Sequence, residues 1–183
     1  MHRTRWFSIL AGIGLGCLTL ASWTPSAGAA TASVMPPDTT VGLGSTFSIR
    51  VESDAFPDLK AYQLIFGYDS SILQYLGPTA GDVLTGNGQP YTVQPYVDVA
   101  APADTAGVDC AQLVGSTSGP GVLIYFNFKA VGVGTSQISC LKVDYRDSNN
   151  VQTLPLCYGG EVHVPPPVAT LPRTWGRIKT IYR

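Results

Sequence analysis

Past residue 30 the chain offers one histidine, His163, three cysteines, Cys110, Cys140 and Cys157, and all 12 of its acidic residues. Nucleophilic hydrolysis would use His163 as the base for a serine or cysteine, with a third group orienting the ring. His163 stands between Val162 and Val164 in an alternating run, which points it outward from a strand, and no Gly-x-Ser-x-Gly elbow occurs. It reads as a solvated strand histidine. A glycosidase needs two carboxylates at a set separation. Asp82, Asp98, Asp104, Asp109, Asp144 and Asp147 read as turn or strand-end residues, where aspartate serves the local backbone. The D-x-[DN]-x-[DN]-G calcium loop is missing, with Asp144 to Asn150 only a partial echo. The cysteines lack C-x-x-C spacing, which argues against zinc. The expectation is a protein that is not an enzyme, with no cofactor and no metal site.

The elements that would position a binding surface are strands. In Leu59 to Leu76, Tyr62, Leu64, Phe66 and Tyr68 share one large apolar face, while Ala61, Gln63, Ile65 and Gly67 share a small or mixed one. That pattern predicts a strand with one buried and one partly covered side. Tyr68-Asp69-Ser70-Ser71 supplies turn chemistry, and Ile72, Leu73 and Leu76 begin the next apolar run. Further strands are read at 32–35, 46–51, 91–99, 108–114, 122–130, 135–143 and 160–164. Pro95 places the 91–99 segment at an edge or bulge. Gly81 to Gly88 and Gly115 to Gly121 read as connections. Nine short strands with turn signals between them, and no convincing helix before residue 165, predict an all-β sandwich.

Residues 1–29 read as a signal peptide: His2, Arg3 and Arg5, an apolar centre from Phe7 to Leu20, and Ala27-Gly28-Ala29 as the cleavage site. Cys17 sits in a poor lipobox, since Gly14-Leu15-Gly16 precedes it. The mature domain spans 30–164, a Pro-rich linker 165–173 follows from Pro165-Pro166-Pro167, and 174–183 is a basic-aromatic tail. From 31 to 164, five basic residues face all 12 acidic ones, a net −7, whereas Arg173, Arg177, Lys179 and Arg183 make the end basic. An acidic body argues against nucleic acid as partner. Contact with a membrane is expected only through the leader or through sorting of the tail. In an exported chain three cysteines imply one disulfide and one thiol, with three pairings open. Cys140–Cys157 is preferred because the two flank the hairpin-like stretch around Asp147-Ser148-Asn149-Asn150. Closing such a loop stabilises by roughly 3 kcal/mol in the chain-entropy picture.

Several segments fall in a telling order. They are Gly44-Ser45-Thr46-Phe47; Asp58-Leu59; Phe66-x-Tyr68-Asp69 with Leu73; Gly81-Asp82-Val83-Leu84; and Gly121-Val122-Leu123 with Phe126-x-Phe128-Lys129. In that order they resemble the cohesin domain, the receptor module of cellulosome-type assemblies, over about Ser33 to Val164. The resemblance implies a nine-stranded jelly-roll sandwich, related in fold to some cellulose-binding modules. It further implies a noncatalytic, secreted or cell-surface bacterial module that binds a dockerin, a small helical partner carrying its own calcium. The face implied is the outward side of the central strand, giving Ala61, Gln63, Ile65 and Gly67, with Gln112 beside them. Type I cohesins place Asn and Asp where this chain has Ala61 and Gln63; Ala61 cannot make their hydrogen bonds, and Gln63 reaches differently. The tail from Trp175 to Arg183 is similar to short endings of exported bacterial proteins, suggesting a sorting or docking peptide. Two other functions fit a sandwich. One is binding of a soluble glycan by tyrosines such as Tyr75, Tyr91, Tyr96, Tyr125, Tyr145 and Tyr158, although the mature domain has no tryptophan platform for a polysaccharide. The other is a structural surface adaptor.

Overall fold

A computed structural model describes residues 30–96 and 104–168. The leader, Asp98 and the tail lie outside them. In chain order the strands are β1 (Thr31–Met35), β2 (Asp38–Thr40), β3 (Thr46–Ser53), β4 (Ala61–Gly67), β5 (Leu73–Ala80) and β6 (Tyr91–Tyr96). Then follow β7 (Thr105–Gln112), β8 (Gly121–Ala130), β9 (Gly134–Arg146), β10 (Gln152–Thr153), β11 (Leu156–Tyr158) and β12 (Gly160–Val164). They form two sheets, ordered β11-β1-β3-β8-β5 and β2-β12-β9-β4-β7-β6, with β10 paired to β9.

Period-two patterning builds each layer. In β4, Tyr62, Leu64 and Phe66 are buried and Ala61, Gln63, Ile65 and Gly67 are half-exposed. In β3, Ile49 and Val51 point in and Ser48 and Arg50 point out. From β8, Ile124, Phe126 and Phe128 enter the core between the sheets. Phe66 of β4 meets Phe126 of β8 edge-on, with ring centroids 5.7 Å apart. The Tyr62 hydroxyl crosses the same gap to donate to the Leu123 carbonyl at 2.6 Å. Burying such aromatic rows contributes most of the folding free energy, at roughly 25 cal/mol per Å² of apolar surface.

The nine expected strands are present, and three short ones join them. β2, β10 and β11 span only two or three residues each, too few to show periodicity. The Gly81–Gly88 connection holds one helical turn, α1 (Asp82–Thr85), which buries Val83 and Leu84. β7 begins and ends earlier than read, leaving Leu113 and Val114 exposed. Pro95 lies in β6, which pairs only with β7 and so forms a sheet edge. β9 continues to Arg146, where Asp147 turns the chain by accepting hydrogen bonds from the amides of Asn149 (2.9 Å) and Val151 (2.7 Å). Cys140 of β9 is disulfide-bonded to Cys157 of β11, which ties the two sheets together at one end. Cys110 is a buried free thiol.

Candidate functional site: the outer face of the central strand

β4 lies between β7 and β9, so three strands set the composition of its outer surface. Ala61 lies between Ala111 and Arg146, Gln63 between Asp109 and Asp144, Ile65 between Gly107 and Lys142, and Gly67 between Thr105 and Ser139. The four β4 residues expected on this face are therefore together on it. A shallow depression of about 350 Å³ opens among Gln63, Asp109, Asp144, Arg146, Thr92 and Gln94. Leu141 stands 57% exposed at the other end of β4. The Leu141 side chain lies over Gly67, where a Cβ would meet its Cδ1 at 3.4 Å, an ordinary van der Waals contact.

Asp144 is the most constrained polar group of the face. It bears a carboxyl group and is only 7% exposed. Burying a carboxylate is tolerated only with partners. Arg146 Nε lies 3.3 Å from its Oδ1, and Gln152 Nε2 donates to its Oδ2 at 2.7 Å. Arg146 Nη2 also donates to Oδ2 at 3.4 Å, while Oδ1 is buried and faces Arg146 without the alignment of a hydrogen bond. Beneath the face, burial pushes the Cys110 thiol up to about 12. This cysteine is therefore packing, with no nucleophilic character at neutral pH.

Gln112 does not belong to the face. It ends β7 on the inward parity shared with Val108 and Cys110, and it is 2% exposed. Its Nε2 donates to the Val83 carbonyl at 3.0 Å and its Oε1 accepts from Asn87 at 2.9 Å. It anchors the α1 segment and cannot reach a partner. His163 is outward, as read. It lies on β12, toward the far edge of the same sheet. Asp109 and Asp144 prove to be mid-strand residues rather than turn residues.

No protein-family model matches the chain, and no curated protein matches it. Solved structures do. A non-cellulosomal cohesin from Archaeoglobus fulgidus superposes with a TM-score of 0.61 at 14% identity, covering 75% of this chain and 92% of that one. The sixth cohesin of scaffoldin B from Acetivibrio cellulolyticus, solved in complex with a dockerin, gives 0.61 at 17% identity, with coverages of 74% and 99%. A cohesin module from a Clostridium perfringens family 33 glycoside hydrolase gives 0.62 at 10% identity, with coverages of 75% and 97%. The chain has the cohesin fold.

Sequence reasoning overlooked three residues on this cohesin fold's outer face: Asp109, Asp144 and Arg146. The signal was present. Lys142, Asp144 and Arg146 alternate with Val143 and Tyr145, which continues the strand past Val143 with the same parity. Reading a turn at Asp144 cut that alternation short.

Proposed function

We propose that this chain is a noncatalytic, exported binding module that receives a dockerin-type protein on the outer face of β9-β4-β7. The observation that carries the reading is the composition of that face on this fold. Half-exposed Ala61, Gln63 and Ile65 run down its centre, an exposed Leu141 stands at one end, and the Asp144–Arg146 pair borders a depression at the other. Flat, preformed surfaces with an apolar contact and a few fixed polar groups suit docking of a rigid partner with little backbone movement. Several solved neighbours of the same fold are cohesins in complex with dockerins. Ala61 removes one polar contact of the familiar type I pattern, and Gln63 flanked by Asp109 and Asp144 offers a different one. The partner therefore presents donors, such as hydroxyl or ammonium groups, to this centre. Each such domain attaches one partner. The signal-peptide reading of residues 1–29 places this work outside the cytoplasmic membrane of a bacterium, with the tail serving sorting or attachment.

A glycan platform is the weaker reading. Tyr75 and Tyr145 are built into the core region, and exposed Tyr91 and Tyr158 lie on different sheets. They form no stacking row among the described residues.

The test is capture of dockerin-bearing enzymes from the producing organism by the immobilised chain, in calcium and again in EDTA. Calcium-dependent capture that is lost in the Gln63→Arg/Ile65→Asp double variant, with the variant still folded, is the expected result. Retention at wild-type affinity by that variant would overturn the face assignment, and absence of any dockerin among captured proteins would overturn the partner.

A further inference from the structure

The far edge of the same sheet holds a second constellation, which neither the sandwich core nor the proposed docking face uses. β2 pairs with β12 in parallel, with Asp38 opposite Glu161. His163 lies two residues further along β12 and so shares Glu161's outward side. Its Nε2 is 3.2 Å from Glu161 Oε1 and 3.3 Å from Asp38 Oδ1. One donor atom from each of the three residues lies within 4.8 Å of the other two.

Neighbours on β9 hold two of these side chains in place. Thr135 Oγ1 and His163 Nδ1 are hydrogen-bonded at 2.8 Å, which engages the ring's other nitrogen and aims Nε2 at the carboxylates. Gln137 Nε2 donates to Glu161 Oε2 at 2.6 Å, which leaves Oε1 as the oxygen facing the histidine. Ligand residues oriented from behind by hydrogen bonds are the usual design of a metal site. Among the described residues, His163 is the only ion-pair partner of either carboxylate. Two bonds of about 2.1 Å set about 90–110° apart put donor atoms roughly 3.0–3.4 Å from one another. The observed 3.2 and 3.3 Å separations fall in that interval.

We infer that Asp38, Glu161 and His163 form a surface site for a divalent transition metal. One imidazole with two carboxylates suits Zn(II), Co(II) or Ni(II) better than calcium, which takes oxygen ligands alone. The ion would clip edge strand β2 to β12 and keep open positions for water. Because β2 has no strand neighbour besides β12, this is where such a clip has most to stabilise. The inference stands independently of the dockerin reading, since none of its residues lies on β4, β7 or β9's contacts with them.

Calorimetric titration of the full chain with ZnCl₂ tests it. One ion per chain at micromolar to sub-millimolar affinity is expected, weakened at least tenfold in His163→Ala and in Asp38→Asn. Zinc should raise the thermal unfolding midpoint of the wild type and leave that of His163→Ala unmoved. Paramagnetic Ni(II) should broaden the amide resonances of residues 38–40 and 160–164 in the unmodified protein, which reads the site without any variant. No saturable binding below millimolar zinc, an unchanged isotherm in His163→Ala, or broadening confined to other parts of the chain would each overturn the assignment.

Discussion

The Leu123 carbonyl accepts two hydrogen bonds, from the Tyr62 hydroxyl at 2.6 Å and from the Gly81 amide at 3.1 Å. The first bond joins β4 to β8 across the core, and the second holds the start of the α1 turn. Tyr62→Phe removes one donor and leaves the carbonyl with its other partner. The expected cost is about 1 kcal/mol rather than the larger penalty of an orphaned buried acceptor. Urea unfolding of the variant measures it; a loss well above that value would mean that Gly81 releases the carbonyl as well.

High pH should unfold this domain steeply. Burial holds the Cys110 thiol and the Tyr145 phenol up at about 12, and it raises Tyr62 and Tyr75 too. The folded state therefore keeps protons that the unfolded chain gives up from about pH 9–10. Stability from these groups is complete below their ordinary values and falls as pH climbs toward 12. The urea midpoint should be flat from pH 7 to 8.5 and drop beyond it, with tyrosinate absorbance appearing together with unfolding. Tyrosinate titrating fully in a still-folded protein would contradict the burial.

How much of this was legible in the sequence depended on element length. Tyr62, Leu64 and Phe66 alternate with Ala61, Gln63 and Ile65 over a full strand, so both the core face and the candidate face of β4 followed from period two alone. The resemblance in segment order supplied the fold. What escaped was short or decided by parity. β2 and β10 are two or three residues long and exist through pairing with neighbours distant from them or across a turn. Gln112 is expected beside the binding face, but its parity with Val108 and Cys110 turns it in, where its amide satisfies a backbone carbonyl. Asp38 could not be placed beside Glu161, because a parallel register between residues so far apart leaves no local trace.

The Cys140–Cys157 disulfide closes a loop of 17 residues and connects β9 to β11. Cross-linking such a loop stabilises by about 3 kcal/mol through the unfolded chain. Cys140→Ser/Cys157→Ser should lose about that much, and dithiothreitol should lower the wild type to the same level. Faster amide exchange should appear first in β11, which outside the disulfide pairs only with β1. Cys110 should stay inert to a thiol reagent at pH 8 in both proteins until they unfold. Rapid labelling of native Cys110 would show that the thiol is open to solvent.

Leu141 separates docking from folding. At 57% exposure it contributes little to the core, yet it is a large apolar side chain standing over Gly67 at one end of the proposed face. Leu141→Asp introduces a charge that costs nothing in water but must be desolvated under a partner. Leu141 is the extra residue where the β4–β9 register shifts, and because its side chain is exposed the thermal midpoint should fall by no more than the equivalent of about 1 kcal/mol. Partner affinity should fall by at least 10-fold, because the partner must desolvate the new charge at this end of the face. Calorimetry with the captured dockerin-type partner reads both quantities on the same samples. If affinity holds while Gln63→Arg/Ile65→Asp abolishes binding, the partner sits toward the Asp109–Asp144 depression and away from the Gly67 end of the strand.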